Sequence, residues 1–365
     1  MKFRCERDDL VDALGTAARA VSSRGGMTPV LAGVKAELVG NTLTLTGSDL
    51  DLTITVGASV TGQADGSTVF RDAKLLADIV RRLDSGAVTV EVDDEAARIT
   101  AGHADFSLRV ASTEEYPKLA LPTGDPVQVP GAELASALRQ VTPAASTDDN
   151  RPIITGVLLS SEEGGLRLVA TDSYRLAVRD LAGMSPLSGR ESVLVPSRAL
   201  KEVERAAQGA ESITVRFGER DASFEVGGTR ITTRLIEGEF PNYRGLIPAS
   251  YPNRLVVGRE ALLDAVGRVR QLARDAAPVR LVLKADGLEL LATTQDVGQA
   301  HEDLEAKYEG AELTVAFNPE YLAQGIDVTP GDEIVLETID ALKPAVLRST
   351  EDAGFLYLLM PVRVS

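Results

Sequence analysis

The sequence repeats itself: three segments of about 120 residues follow one another, each opening on a helix pattern and continuing through paired strand signals, a second helix and closing strands. Such a period requires three copies of one small domain, and a tandem array of that kind either stays open or closes on itself. The opening helix patterns cover 7–21 (RDDLVDALGTAARAV), 131–141 (GAELASALRQV) and 259–273 (REALLDAVGRVRQLA). In the first, Leu10, Leu14, Ala17 and Val21 recur at i, i+4, i+7 and i+11, one face of a helix. Strands are expected at 30–39, 42–46 and 51–56, then at 153–159, 166–170 and 175–179, then at 279–284 and 288–292, with a polar run on to Leu304. Gly40-Asn41, Glu163-Gly164-Gly165 and Asp286-Gly287 supply the hairpin turns. Second helices are expected at 72–83, 197–207 and 319–325, each preceded by a short apolar strand at 68–70, 193–196 or 314–317. Proline clusters at 122–126 and 248–252 recur at the repeat period and read as linkers. The expected architecture is α+β: three domains, 1–122, 127–248 and 253–365, each of two helices and two small antiparallel sheets.

Composition narrows the function. Of 365 residues 44% are apolar, enough to give each domain its own core. Cys5 is the only cysteine, so no intrachain disulfide forms and a reducing compartment fits. The N-terminus MKFRCERDDL is charged before any apolar core begins, unlike a secretory signal, and no apolar run reaches membrane-spanning length. A cytoplasmic protein without membrane partners is expected. The two histidines, His103 and His301, have no metal-ligand spacing, and the glycine-rich phosphate and nucleophile motifs are missing, so no catalytic residue, cofactor or metal is expected. A net charge of −16 argues, as a total, against nucleic acid; where the charges lie matters more.

Specific segments then match a known family. Thr171-Asp172-Ser173-Tyr174-Arg175-Leu176-Ala177-Val178 resembles the signature in the middle domain of bacterial sliding clamps, and Leu359-Met360-Pro361-Val362-Arg363-Val364 resembles their closing strand. Phe240-Pro241-Asn242-Tyr243-Arg244 and Phe317-Asn318-Pro319-Glu320-Tyr321 lie where that family has similar segments. The resemblance runs in order along the whole chain and points to an actinobacterial or duplicated copy. It implies a head-to-tail homodimer of three-domain chains, a six-domain ring with helices lining the hole. The implied function is a processivity factor that encircles duplex DNA without sequence preference and tethers DNA polymerase III alpha subunit, the clamp loader and other proteins carrying clamp-binding motifs.

Three sets of residues follow. A ring that slides must touch phosphates without reading bases. Arg71, Arg81 and Arg82 flank or lie on the second helix of the first domain, and Arg198, Lys201 and Arg205 share one helical face by their spacing. Arg268, Arg270 and Arg274 lie at the end of the first helix of the third domain, and Arg24 stands where the family has a DNA-contacting arginine. Each of these, taken singly, reads equally as a solubilising charge.

The second set is a peptide groove implied by the resemblance. Its deep part comprises Ile154, Thr171, Leu176, Pro241, Leu246, Val346, Leu359 and Met360. Arg175 supplies a polar rim beside Ser173 and Tyr174, bordered by Pro361, Val362 and Arg363. Asn318 and Tyr321 shape the shallower half, with Leu342 and Pro344 between. Gly245 stands where many clamps have a long basic residue, Ala276 where some have an aromatic, and Tyr174 where histidine is frequent; these departures suit a specialised copy, such as one tolerating a clamp-targeting antibiotic.

The third set is the dimer contact, between domain one of one chain and domain three of the other: Lys74, Phe106, Leu108, Gln271 and Leu272, with acidic partners from the run 296–303. Two alternatives stay open at this point. An acidic scaffold of tandem domains would use the groove without closing a ring, and a hydrolase built on Thr171 and Asp172 would need His103 or His301 beside them.

Overall fold

The computed structural model describes residues 1–21, 28–117, 120–162, 164–273 and 277–363. Arg24, Arg274 and Ala276, singled out above, lie outside the described residues. Six α-helices are present among those described: α1 (Arg7–Ala18), α2 (Ala73–Arg82), α3 (Gly131–Val141), α4 (Ser197–Ala207), α5 (Arg259–Val269) and α6 (Pro319–Val328). Each repeat thus contributes two, as the periodicity requires. Among the described residues no helix is long and apolar enough to cross a membrane.

The chain divides into two compact units, one of Met1–Ala132 with Arg205–Leu235, the other of Glu133–Glu204 with Ile236–Ser365. In the first, a thirteen-stranded antiparallel sheet runs through the strands of the first repeat and on into Thr229–Arg234, Asp221–Val226, Ser212–Phe217 and Val127–Pro130. The join is Leu52–Ser59 against Thr229–Arg234, with Ile54 opposite Ile231. Against this sheet α1 buries Leu10, Ala13, Leu14 and Ala17, and α2 buries Ala73, Leu76, Ala77 and Val80, in one core that includes Phe3, Leu43, Leu45 and Ile99. Each buried leucine there contributes about 1.5–3 kcal/mol.

The second unit holds a nine-stranded and a four-stranded sheet. The larger is joined where Arg175–Ala182 pairs antiparallel with Phe355–Leu359, which pairs in turn with Ala345–Ser349. In that register Leu176, Leu358 and Val346 form one row across three strands. All three are fully buried, and Phe240, Tyr243 and Ile247 close over the same cluster.

Several element limits differ from those expected. The strands expected from 30 and 153 begin instead with 3-10 turns, Pro29–Ala32 and Pro152–Thr155. Proline at the first turn position fixes φ and cannot donate to a sheet ladder, so pairing starts only at Val34 and Gly156. The helix expected to reach Val21 ends at Ala18, and the one expected to reach Ala273 ends at Val269, with a 3-10 turn over Arg270–Leu272. Tightening to i→i+3 bonds is a common way to finish a helix.

The repeat is visible at atomic detail in two turns. Leu50 and Ser173 both adopt left-handed φ, 79° and 82°. In each turn a hydroxyl two residues back accepts from that backbone N–H: Ser48 Oγ at 3.1 Å for Leu50, Thr171 Oγ1 at 3.1 Å for Ser173. In each, an aspartate caps the next two amides: Asp49 those of Asp51 and Leu52, Asp172 those of Tyr174 and Arg175. These side-chain bonds offset the cost of left-handed backbone at a residue with a Cβ.

Candidate functional site

The segment Thr171–Arg175 is a tight turn between two strands, and its chemistry is mostly inward. The Thr171 hydroxyl donates to the Arg175 carbonyl at 2.6 Å. Arg175 is 7% exposed. Its Nε donates to Asp172 Oδ2 at 3.0 Å and Nη1 to the Tyr357 hydroxyl at 3.1 Å; further donations reach Gln324 Oε1 and the Pro143 carbonyl. The guanidinium carbon lies 4.2 Å from the centre of the Tyr321 ring. Burial pushes the Tyr357 phenol up to about 12, so it stays protonated and can accept from Arg175.

Arg175 is therefore buried, not the exposed polar rim that the resemblance implied. The short Asp172 carboxylate, three residues back, neutralises it and draws it inward, where a buried charge persists only if paired and fully hydrogen-bonded. Asp172, Gln324, Tyr357 and Pro143 are the partners that sequence reasoning missed. Asp172 stood inside the quoted motif, and its three-residue spacing from Arg175 was the one available signal. The hydroxyl of Thr171 and the carboxylate of Asp172 are engaged by this turn, in an arrangement unlike a nucleophile and its base.

Outside this buried network lies an apolar surface. Tyr174 is 60% exposed and stacks on Tyr321, ring centres 6.5 Å apart. Leu246, Leu342 and Met360 are also exposed large apolar residues of this unit. Met360 is held by its backbone, whose N–H donates to the Tyr174 carbonyl at 2.9 Å, and Val362 is tied to the Ala316 carbonyl at 2.8 Å. Ile154, Thr171, Leu176, Val346 and Leu359, expected to line the deep part, are buried at 6% exposure or less. Leu176 and Val346 belong to the core cluster of the larger sheet. Pro241 and Leu246, expected to be deep, are exposed instead, because they precede or join the short 3-10 turn Arg244–Leu246 on the surface. Gly245 lies in that turn with open space where a Cβ would stand. Asn318 caps α6, its Oδ1 accepting from Glu320 N at 2.9 Å and Tyr321 N at 3.2 Å, which fixes Tyr321 beside Arg175. Pro344, Pro361 and Val362 are half-buried, while Ser173 and Arg363 are exposed.

The cations expected to face DNA are on the helices proposed for them. Arg81 and Arg82 end α2, both exposed, with Arg81 Nη1 3.1 Å from Asp78. Arg198 and Arg205 are exposed on α4 and Lys201 half-exposed between them. Arg71 Nε donates to the Val110 carbonyl at 2.8 Å. Arg268 and Arg270 pair instead with Glu302 and Glu320, so both are less suited to a phosphate role than their sequence position indicated.

Of the dimer candidates, Lys74, Phe106 and Gln271 are exposed, and Leu108 and Leu272 half-buried. Phe106 and Leu108 lie on Ala104–Ala111, a strand paired along its length with Ala96–Ala101 but with Gly66–Phe70 only through Val110 and Ala111. Its residues 104–109 thus carry an open edge among the described residues. Gly298–Leu304 is the outermost strand of the four-stranded sheet and carries another.

The N-terminal, central and C-terminal domain models of the DNA polymerase III beta subunit match residues 1–120, 128–242 and 244–363. A beta sliding clamp of Streptomyces coelicolor is 34% identical over the full length of both chains, in line with an actinobacterial type. Among solved structures, the Bacillus subtilis DNA polymerase sliding clamp matches with TM-score 0.89 at 30% identity, and a Bartonella birtlesii sliding clamp bound to griselimycin with TM-score 0.90 at 29%, each covering both chains completely. Three domain models in order, a turn signature in the second repeat and a full-length relative agree: the chain belongs to the DNA polymerase III beta subunit family, the beta sliding clamps.

Proposed function

We propose that this chain pairs head to tail with a second copy into a ring around duplex DNA, and that its peptide groove tethers DNA polymerase III alpha subunit, the clamp loader and other motif-bearing proteins to that ring. The domains of the ring are 1–122, 127–248 and 253–365, and the work on DNA belongs to the cytoplasm. The reading takes the protein as a non-catalytic factor: its two functions are holding DNA topologically and offering a docking surface.

The observation that carries the tethering half is the exposed set Tyr174, Leu246, Leu342 and Met360 in the same unit as the buried row Leu176, Leu358 and Val346. Exposed apolar residues on a packed unit suit a short peptide with a few apolar anchors. Support for the ring comes from two of the open strand edges among the described residues, 104–109 and Gly298–Leu304. They lie on different units of the chain, as a heterologous contact between copies requires. Phe106 and Leu108 lie on the first edge, Gln271 and Leu272 in the 3-10 turn that packs against the second, and Lys74 is proposed to join the contact from α2. Arg71, Arg81, Arg82, Arg198, Lys201 and Arg205 would meet phosphates without base readout, while the net charge of −16 leaves the rest of the surface unfavourable for DNA.

The groove is tested by fluorescence anisotropy with a labelled peptide carrying a glutamine followed by apolar and aromatic residues. The intact protein should bind it saturably. Met360→Asp should weaken binding by about 2 kcal/mol or more, some thirtyfold, as expected for a central anchor site. Equal affinity in a normally folded Met360→Asp protein would place the peptide elsewhere.

A further inference from the structure

We propose that Glu289, His301 and Asp303 form a binding site for a divalent transition ion of the zinc class, separate from the groove and from the basic helices. The three side chains come from neighbouring antiparallel strands, Gly287–Thr294 and Gly298–Leu304, where Glu289 stands opposite Asp303 and Leu291 opposite His301. Strand alternation puts all three on one face, while Leu288, Leu290 and Ala292 fill the core on the other. His301 Nε2 lies 2.9 Å from Glu289 Oε1 and 3.5 Å from Asp303 Oδ1, and one donor atom of each residue lies within 4.8 Å of the other two.

Ligand bonds of about 2.0–2.2 Å in a tetrahedral zinc site place the donor atoms about 3.3–3.6 Å apart. The two spacings to His301 Nε2, 2.9 and 3.5 Å, reach that with movements of a few tenths of an ångström, and the two carboxylates, whose ligand atoms lie within 4.8 Å, close on the ion by rotation of side chains as exposed as His301 and Asp303 (52% and 76%). Two carboxylates directly opposed on antiparallel strands repel each other, and a cation between them removes that repulsion. Lys284 Nζ, 2.6 Å from Glu289 Oε2, covers only the far oxygen. The imidazole selects the ion: magnesium and calcium prefer all-oxygen shells, whereas a mixed nitrogen and carboxylate set suits zinc, cobalt or nickel, with water completing the shell. Because Gly298–Leu304 is the outermost strand of its sheet, a bound ion would fasten that edge to its neighbour.

The test is titration of the tag-free protein with zinc chloride by calorimetry and with cobalt chloride by visible absorption. One saturable ion per chain is expected. Loss of a ligand should cost at least the roughly 10–100-fold typical of losing an outer-shell partner, so His301→Ala and Asp303→Asn should each weaken binding by at least about tenfold. His103→Ala, at the only other histidine, should leave it unchanged. Absence of saturable binding by the intact protein, or binding by folded His301→Ala or Asp303→Asn as tight as by the parent, would reduce the cluster to a surface ion pair and overturn the proposal.

Discussion

Arg175 shows what a residue's identity leaves open. In the sequence an arginine beside an exposed tyrosine reads as polar rim; in the fold it is the buried centre of a network with Asp172, Gln324, Tyr357 and the Pro143 carbonyl. Composition could not reveal this, because three of those partners are more than 30 residues away in sequence. Removing one partner of a buried pair leaves the other charge uncompensated, typically about 3–5 kcal/mol. Arg175→Ala should therefore lower stability by roughly that amount in urea unfolding, and a change under about 1 kcal/mol would mean that the network contributes little. Leu176 and Met360 illustrate the reverse difficulty. Both are apolar in clamp-like segments, yet Leu176 sits in a three-strand row at 1% exposure, while Met360, one residue past a strand end, is 39% exposed. Register separates core from surface, and register is a tertiary property. Cys5 is legible as a lone thiol, but its inertness is not. Burial pushes it from 9.0 up to about 12, with Asp9 and Glu6 adding to the rise. The unfolded thiol ionises first, so its share of stability is complete below about pH 9 and is lost as pH rises through about 12. Ellman's reagent at pH 8 should react slowly with native protein and promptly after urea unfolding; prompt native reaction would contradict the buried placement.

At the scale of elements, most helices and strands follow from periodicity, and the misreadings have identifiable causes. The prolines at 29 and 152 turned expected strand starts into 3-10 turns. The helix expected over 319–325 runs on to Val328. Glycine after a periodic segment usually marks a left-handed cap, but Gly325 is inside α6 and serves close packing. A Cβ there would stand 2.6 Å from the ring of Tyr357, which is fully buried and held by Arg175. Gly325→Ala thus sets a helix-propensity gain of up to about 1 kcal/mol against overpacking of about 1–3 kcal/mol. The ring cannot turn away without breaking the Arg175 network, so overpacking should win. Thermal unfolding should show a lower midpoint, and a higher one would mean that α6 moves freely away from the sheet.

For the molecule as a whole, the threefold period made the three-domain α+β architecture legible, since a domain of this length can bury its own core. The division of the central repeat between two units was not legible. Its strands Ser212–Phe217, Asp221–Val226 and Thr229–Arg234 extend the sheet of the first repeat, while Gly156–Glu162, Gly165–Thr171 and Arg175–Ala182 extend that of the third. Edge-to-edge pairing is chosen by neighbouring strands in space and leaves no periodic signal in any one segment. The same logic of open edges carries over to the pairing of two copies, on which the ring depends. The most direct test of that ring is retention on DNA: labelled protein is placed by a clamp loader and ATP on nicked circular duplex, separated by gel filtration, and followed after the circle is cut at one site. The account predicts co-elution with the circle, loss on linearisation, and no retention for Leu272→Asp at the proposed contact between copies. Equal retention on circular and linear duplex would contradict it.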